Sequence, residues 1–225
     1  MTTYVSDTKP YKGMGMEGAI AKWYAGLTKK SMEDFRAEAR RVAAELAAQS
    51  RVLEVAPGPG YFAIELAKLG DYRVTGLDIS ETFVEIATAN AASAGVRVDF
   101  RRGNASAMPF ADDSFDFLFC RAAFKNFAAP KQALEEMHRV LKPGGKAVII
   151  DLRRDASKAS INEAVNGMHV GLVNAMVTKL TFRFMLLKRA YTRNGFEDLI
   201  RETPFRDFEI RENLIGVEIL LTKKR

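Results

Sequence analysis

The chain has 225 residues, the length of one domain, and its 48% hydrophobic and 28% charged residues are typical of a folded globular protein. This balance excludes a disordered or low-complexity chain. The net charge of +6 is spread along the sequence, so nucleic acid is not an expected partner. The single cysteine, Cys120, excludes a disulfide framework and a multi-cysteine metal centre, and no metal site is predicted.

The amino-terminal segment is polar and contains no apolar stretch of the kind that directs export. Together with the lone cysteine, it predicts a protein of the reducing cytoplasm. The most apolar stretch, residues 171–187, is interrupted by Lys179 and Arg183 and therefore predicts an amphipathic helix rather than a transmembrane one. Contact of that helix with a membrane surface, through basic residues that include Lys188 and Arg189, stays open.

The predicted elements begin with two helices, over residues 16–30 and 31–49, the second with a capping box of Ser31 and Asp34. Short apolar runs then alternate with helical segments. The runs predict five strands, over residues 51–56, 72–78, 96–102, 114–121 and 146–152. Because helical crossovers join most of these strands, we expect them to lie parallel in one sheet of an α/β fold with helices on both faces.

The last third of the chain departs from this alternation. Residues 157–203 carry no strand signal and predict helices only. Two strands follow, over residues 205–213 and 215–224, and the turn between them is very short. Strands that close together must form an antiparallel hairpin, so the sheet is predicted to be mostly parallel with a reversed strand near its end.

The segment 52–62, VLEVAPGPGYF, carries the best signal for a binding site. A strand runs directly into Gly58 and Gly60, which leave the main chain open to a ligand, and a helix begins at once. Asp78 ends the next strand, where a carboxylate is suited to accept ribose hydroxyls. The glycines, with Ala63, also satisfy the dinucleotide pattern GxGxxG/A, so a nicotinamide-dependent oxidoreductase stays open as an alternative.

The succession of segments resembles the class I S-adenosylmethionine-dependent methyltransferases. The resemblance rests on the terminal hairpin and on four segments, VLEVAPGPG, GLDIS, RRGNASAMPFADDSFDFLFC and EEMHRVLKPGGKAVIID. The sequence looks most like the small-molecule branch that includes the quinone-biosynthesis C-methyltransferases. This resemblance implies a Rossmann-like, open, mostly parallel sheet of seven strands with a terminal antiparallel hairpin. It also implies S-adenosyl-L-methionine as the cofactor.

The resemblance further implies one methyltransferase domain over residues 1–225, in four parts. Residues 1–49 would form a helical lid, and residues 50–152 would form the cofactor-binding core. Residues 153–204 would form a helical insertion on the side of the methyl acceptor, and residues 205–225 the hairpin. We expect acceptor specificity to reside in the insertion.

By the same resemblance, Gly58 and Gly60 would lie along the methionine part of the cofactor, and Asp78 would bind its ribose. Ile79 would lie against adenine, and Asn104 would contact the adenine amino group. The remaining residues assigned to the cofactor site are Tyr24, Glu54, Ala56, Ala105, Cys120 and Arg121. Ala56 is a departure, because the family usually has its first glycine at that position.

Methyl transfer is an in-line displacement on a sulfonium carbon, so the protein has mainly to align the acceptor and exclude water. A general base is a candidate role for His169, in the insertion. Lys125 could orient an anionic oxygen with Asn126 beside it, although an ordinary solvated lysine is the alternative. Asp151 is a weaker candidate for the base and is interpreted as a helix cap or surface residue, and His138 is interpreted as structural.

The expected activity is methyl transfer to a small organic acceptor. Motifs typical of methyltransferases that act on exocyclic base amines, on cytosine C5 and on protein arginine are missing. Two alternatives stay open, the nicotinamide-dependent oxidoreductase and a catalytically silent subunit that binds the cofactor without transferring a methyl group. Trp23 is expected either to close the site or to pack in the core.

Overall fold

The computed structural model describes residues 11–12, 15–167 and 187–225. The strands are β1 (Arg51–Val55), β2 (Arg73–Asp78), β3 (Asp99–Arg102), β4 (Phe115–Arg121), β5 (Leu141–Leu152), β6 (Asp207–Glu212) and β7 (Gly216–Thr222). The longer helices are α1 (Gly18–Thr28), α2 (Met32–Ala43), α3 (Tyr61–Ala67), α4 (Glu81–Ser93), α5 (Pro130–Val140), α6 (Lys158–Gly167) and α7 (Arg193–Arg201). Short helical turns lie at Lys29–Ser31, Phe124–Asn126 and Leu187–Arg189.

The seven strands form one sheet in the order β3-β2-β1-β4-β5-β7-β6. Strands β1 to β5 pair in parallel, and β7 pairs antiparallel with both β5 and β6. The predicted seven-stranded sheet with its terminal hairpin is therefore confirmed. The strand order reverses between β1 and β4, and in open α/β sheets ligands bind in the crevice at the carboxyl ends of the strands flanking such a point.

Alternating side chains of the central strands supply two cores, one on each face of the sheet. On β4, Phe117 and Phe119 face α2 and α3, while Leu118 and Cys120 face α5 and α7. The ring of Phe62 on α3 stacks on Phe119, with ring centroids 3.9 Å apart. Both faces of the sheet are covered, as the long apolar runs of the strands predict.

Three predicted element boundaries are wrong. Ser31 does not cap α2, because the chain enters that helix from the turn Lys29–Ser31 and not from the extended conformation that a capping side chain needs. The helix also ends at Ala43, several residues before the predicted end. Strand β5 begins at Leu141, before the predicted start at residue 146, and a register shift opposite Phe115 accommodates the additional residues.

The start and end of α4 are both fixed by local structure. The Ser80 hydroxyl accepts a hydrogen bond from the main-chain N–H of Phe83 at 3.1 Å. The helix closes at Gly95, whose φ of +69° is the left-handed conformation that glycine favours. None of the helices that the structure describes is long and apolar enough to cross a membrane.

Candidate active site

The loop after β1 has a left-handed main chain at three residues. Ala56, Gly58 and Gly60 have φ angles of +57°, +54° and +78°. A Cβ atom added at Gly58 would meet no atom within 4 Å, so the loop faces open space there. A Cβ atom at Gly60 would lie 2.6 Å from Cζ of Phe100 and 2.9 Å from Cβ of Ala87. A ligand can therefore approach at Gly58, whereas glycine at position 60 is required by packing within the protein.

Ala56 adopts the backbone conformation that a glycine would take at this position. The left-handed conformation costs an L-residue about 1–2 kcal/mol. The main-chain N–H of Ala56 donates to the carbonyl of Leu77 on β2 at 2.8 Å, which holds the residue in place. The departure from the family pattern thus leaves the loop in the path that a glycine would give. The surrounding structure offsets the backbone strain at Ala56.

Asp78, at the end of β2, holds this loop from the side. Its Oδ2 accepts a hydrogen bond from the N–H of Gly58 at 2.9 Å, and its Oδ1 accepts one from the N–H of Ser80 at 2.9 Å. The carboxyl group is buried, and burial raises its pKa to about 6 in spite of these hydrogen bonds. A buried acid with amide donors and no cation is suited to receive hydroxyl groups or a positive charge.

Glu54, at the end of β1, is a second buried acid beside the same loop. Its Oε2 accepts a hydrogen bond from the N–H of Ala63 at 3.1 Å. Burial raises the pKa of Glu54 to about 8, and the nearby Asp78 adds to the rise while Arg121 opposes it. Among the described residues, neither Glu54 nor Asp78 forms an ion pair. Within the described part of the chain, the crevice therefore holds two buried acids without a cation partner.

Ile79, Asn104 and Ala105 lie at the ends of β2 and β3, on the far side of the crevice from β4. The side-chain oxygen of Asn104 accepts a hydrogen bond from the N–H of Ser106 at 2.9 Å, which fixes the direction of its amide group. Ile79 is half-buried, and Ala105 packs against the core. The structure thus brings these three predicted residues to the same edge of the sheet as Asp78.

Helix α1 lies against the loops at the carboxyl ends of the strands. The hydroxyl of Tyr61, at the start of α3, donates to the carbonyl of Ala25 at 2.9 Å. The ring of Tyr24 packs edge-on against Phe83 of α4. Burial raises the pKa of Tyr24, and of the two nearby charges Arg121 lowers it and Asp151 raises it. Tyr24, on α1, therefore lies between Phe83 of α4 and the charged groups at the ends of β4 and β5.

Sequence reasoning missed the contact that fixes the start of α1. The carboxylate of Glu17 accepts hydrogen bonds from the main-chain N–H groups of Glu81 and Thr82, each at 3.1 Å. The Ser80 hydroxyl donates to the carbonyl of Met16 at 2.7 Å. Glu17 thus caps the amino terminus of α4, where a negative charge is favourable. No local signal reveals this contact, because its partners are 64 and 65 residues away in sequence.

Cys120 and Arg121 end β4 on the other side of the crevice. The Cys120 side chain is buried in the core, and burial raises the pKa of its thiol well above the usual value, so only its main chain can face a ligand. Arg121 lies over the ring of Phe35, with its guanidinium carbon 4.7 Å from the ring centroid. Its Nη2 is 3.8 Å from Oδ2 of Asp34.

Lys125 and Asp151 form a buried ion pair at the ends of β4 and β5. The Lys125 ammonium donates to Oδ1 of Asp151 at 2.8 Å and to the carbonyl of Ala122 at 2.6 Å. The main-chain N–H groups of Lys125 and Leu152 also donate to the Asp151 carboxylate, at 2.8 and 2.7 Å. The interpretations of Lys125 as a solvated lysine and of Asp151 as a cap or surface residue are wrong, because these groups neutralise each other inside the protein.

The other catalytic candidates are less constrained by the structure. Asn126 follows Lys125 and is half-buried, and its main-chain carbonyl accepts a hydrogen bond from the N–H of Lys12. His169 lies outside the described residues. His138 packs edge-on against Phe205, with ring centroids 4.9 Å apart, and burial lowers its pKa, as its structural interpretation predicts.

The chain is similar in sequence to known methyltransferases. Residues 53–149 match the family described as "Methyltransferase domain". A demethylmenaquinone methyltransferase from Deinococcus radiodurans is 40% identical over 121 residues, which cover 52% of this chain and 50% of that protein. A ubiquinone/menaquinone biosynthesis C-methyltransferase from Geobacter sulfurreducens is 29% identical over 187 residues, covering 78% of this chain and 72% of that protein. The chain spans about half the length of several curated relatives that it matches.

The fold is also shared with solved structures. A protein from Methanococcus maripaludis, assigned as an S-adenosylmethionine-dependent methyltransferase, is similar over 95% of this chain and 96% of that one. The TM-score is 0.75 and the identity is 20%, so this likeness concerns the fold. Sheet order, the loop after β1 and the match over residues 53–149 agree with one another. The predicted resemblance is therefore confirmed: residues 53–149 match the methyltransferase-domain family, and the chain shares the fold of solved structures assigned as S-adenosylmethionine-dependent methyltransferases.

Proposed function

We propose that the protein transfers a methyl group from S-adenosyl-L-methionine to a small organic acceptor. The observation that carries this proposal is the open space over Gly58, flanked by the buried acids Glu54 and Asp78, at the point where the strand order reverses. The cofactor has a sulfonium, an ammonium and two ribose hydroxyl groups. Acids without a partner cation, next to an exposed main chain, fit those groups.

When bound, the cofactor supplies a methyl group already activated by the sulfonium. The chain then has to bind the acceptor, orient it towards the methyl group and exclude water. Asp78 and Glu54 would hold the hydroxyl and ammonium groups, and Asn104, with Ile79, would contact adenine. Asp78 also holds Gly58 in place through its N–H, so the acid shapes the loop as well as binding the ligand.

The acceptor would lie on the β4 and β5 side of the crevice. The buried Lys125–Asp151 pair lies there and carries no net charge. Tyr24 extends towards this pair from α1. Residues 1–49 would act as the lid over this space, and residues 153–204 would supply acceptor contacts. In this arrangement His169 would serve as a base where the acceptor must lose a proton.

We further propose a quinol-type aromatic ring as the acceptor and the cytoplasm as the location. The acceptor is supported by the similarity to proteins named demethylmenaquinone methyltransferase and ubiquinone/menaquinone biosynthesis C-methyltransferase. The location is supported by the lone cysteine, Cys120. An electron-rich ring carbon can attack the sulfonium methyl group once it is aligned. The mutual neutralisation of Lys125 and Asp151 favours an uncharged ring near that pair.

The test is transfer of radiolabelled methyl from the cofactor to a panel of quinols, phenols, amines and thiols. We expect label in the quinols and a loss of transfer in Asp78→Asn. Binding of the cofactor without transfer to any member would instead support the catalytically silent subunit. Tight binding of a nicotinamide dinucleotide, with no binding of S-adenosylhomocysteine, would overturn the proposal in favour of the oxidoreductase.

A further inference from the structure

The acids of the crevice leave one charged group of the proposed cofactor without a partner. The amino-acid part of the cofactor carries a carboxylate and an ammonium on the same carbon atom. Glu54 and Asp78 fit the ammonium and the ribose hydroxyl groups, but an acid repels a carboxylate. A site that takes the whole amino-acid part therefore needs a cation close to Glu54, with hydrogen-bond donors that are free.

Arg121 lies on the same face of the sheet as Glu54, on the neighbouring strand. Side chains alternate along β4, so Arg121 lies on the side of Phe119, towards α2 and α3. Glu54 is opposite Phe119 in the register of β1 and β4, and Arg121 is two residues, about 7 Å, further along its strand. Burial raises the pKa of Glu54 to about 8, and the charge of Arg121 opposes this rise. The two side chains are therefore within electrostatic reach of each other, but they form no ion pair.

The guanidinium of Arg121 is held in place, but its hydrogen-bond donors are unused. It stacks over Phe35, which fixes its plane, and its side chain is only 25% exposed. Within the residues that the structure describes, none of its N–H groups donates a hydrogen bond, and its one acid neighbour, Asp34, is 3.8 Å away and 65% exposed. Arg51 and Arg73 also have no acid partner among those residues, but they are exposed to water. A largely covered guanidinium with free donors needs a partner more than they do.

Two other cations at the same edge of the sheet are already hydrogen-bonded to acids. Lys125, after β4, donates to Asp151 at 2.8 Å. Arg102, at the end of β3, donates to Glu81 at 3.0 Å. Arg121 lies between them in the sheet and differs from both, because its charge is free to bind an anionic group of a ligand.

Helix α1 turns one of two adjacent aromatic residues towards this charge. Burial raises the pKa of Tyr24, and the nearby charge of Arg121 opposes the rise. Trp23, by contrast, is 66% exposed, so the alternative of Trp23 as a core residue is wrong. Tyr24 thus helps to exclude water from the space beside Arg121, and charges attract each other more strongly where water is excluded.

We propose that Arg121 binds the carboxylate of the cofactor's amino-acid part, while Glu54 binds the ammonium next to it. A cation and an acid on one face of two neighbouring strands, close but not paired, match two opposite charges on one carbon atom. The planar guanidinium can donate two parallel hydrogen bonds to a carboxylate. Arg121 is then a specificity-determining residue, because it favours a nucleoside that carries a complete amino acid. This inference rests on the proposed function, since it assumes that cofactor.

The test compares S-adenosylhomocysteine with its decarboxylated analogue. The analogue has hydrogen in place of the carboxylate and keeps the ammonium, the ribose and the adenine. Binding of each to the full-length protein is measured by isothermal titration, without a methyl acceptor. We expect the wild type to bind S-adenosylhomocysteine about 10- to 100-fold more tightly, because the analogue offers the guanidinium no acceptor. Equal affinity for the two ligands would overturn the proposal without any variant.

Variants then assign the difference to Arg121. Arg121→Gln should weaken binding of S-adenosylhomocysteine about 10- to 100-fold and bind the analogue no more weakly than the wild type does. Arg121→Lys, which keeps the charge but not the planar pair of donors, should lie between these two proteins. Glu54→Gln should weaken both ligands, because both keep the ammonium. The matched control is Arg102→Gln, which removes a cation that already has an acid, and it should bind both ligands like the wild type.

Two results with the variants would overturn the proposal. One is an equal loss of affinity for both ligands in Arg121→Gln with a wild-type circular dichroism spectrum, since Arg121 would then only support the loop. The other is an unchanged affinity for S-adenosylhomocysteine in that variant. A raised KM for acceptors that carry a carboxylate would in that case assign the guanidinium to the acceptor. Failure of the wild type to bind either ligand would refute the proposed function as well, so the two failures are distinguishable.

Discussion

Buried acids lie at the carboxyl ends of β1, β2 and β5, but only the acid on β5 has a cation as its partner among the described residues. Glu54 and Asp78 accept hydrogen bonds from main-chain N–H groups and have no cation within ion-pair distance among the described residues. Asp151 also accepts main-chain hydrogen bonds, but it has the buried ammonium of Lys125 at 2.8 Å. In the first region the acids have no cation partner among the described residues, whereas in the second the acid is neutralised by a buried lysine.

This difference separates acids that can bind a ligand, Glu54 and Asp78, from an acid that fixes the shape of a loop, Asp151. A buried acid without a cation is costly to ionise, as the raised pKa values of Glu54 and Asp78 indicate. Such a cost is reduced when a positively charged ligand enters. The Lys125–Asp151 pair needs no ligand, so it can fix the loop after β4 in the presence or absence of substrate. We therefore expect charge changes in the two regions to have different consequences.

The largest expected effect is on stability, at the neutral pair. Lys125→Met leaves the Asp151 carboxylate buried without its cation, which should lower the free energy of unfolding by about 3–5 kcal/mol in urea denaturation. The double variant Lys125→Met/Asp151→Asn should recover part of this loss. Lys131→Met, which removes an exposed pair with Glu202, should change it by less than about 1 kcal/mol. Equal losses in both lysine variants would mean that burial of the pair is unimportant.

The second effect is a pH dependence at Glu54. Its pKa of about 8 in the folded chain lies above the usual 4.5, so the folded state binds the proton more tightly than the unfolded state. Wild-type stability should therefore fall relative to Glu54→Gln as the pH rises from about 5 to 8.5. The difference should reach on the order of 3–4 kcal/mol. Parallel urea unfolding midpoints for the two proteins across this range would contradict an unneutralised acid.

A smaller effect separates the two glycines of the loop. Gly60→Ala should lower the free energy of unfolding by about 2–3 kcal/mol, because its Cβ atom meets Phe100 and Ala87 in addition to the backbone strain. Gly58→Ala should cost only about 1–2 kcal/mol, from backbone strain alone. It should nevertheless weaken binding of S-adenosylhomocysteine in calorimetry. A larger stability loss at Gly58 than at Gly60 would show that the open space lies elsewhere.

Much of the fold follows from the sequence, because each parallel strand is a short apolar run bounded by glycine, proline or a helix cap. Asp78 and the loop before α3 were found for the same reason, since their signals are local. The burial of Lys125 and Asp151 was missed, because these residues meet only once β4 and β5 are neighbours. Opposite charges at the ends of two apolar strands were the available signal. The Glu17 contact with α4 carried no signal at all.

The helix boundaries show the same limit. The pattern Ser31 to Asp34 is a valid capping box in isolation. Whether it caps a helix depends on the direction from which the chain arrives, and the turn Lys29–Ser31 continues from α1 almost without interruption. The sequence also did not decide whether Trp23 is buried or exposed. A helix with apolar residues on two faces does not reveal which face is buried.

The central claim is that Asp78 is a binding acid, and isothermal titration of S-adenosylhomocysteine into Asp78→Asn tests it most directly. The control is Asp116→Asn, because Asp116 also accepts a main-chain hydrogen bond, from Arg51 at 2.8 Å, but lies at the opposite end of the sheet. The account predicts that Asp78→Asn weakens binding by about 10- to 100-fold, the equivalent of about 1.5–3 kcal/mol, while Asp116→Asn binds like the wild type. Wild-type affinity in a folded Asp78→Asn protein would contradict it.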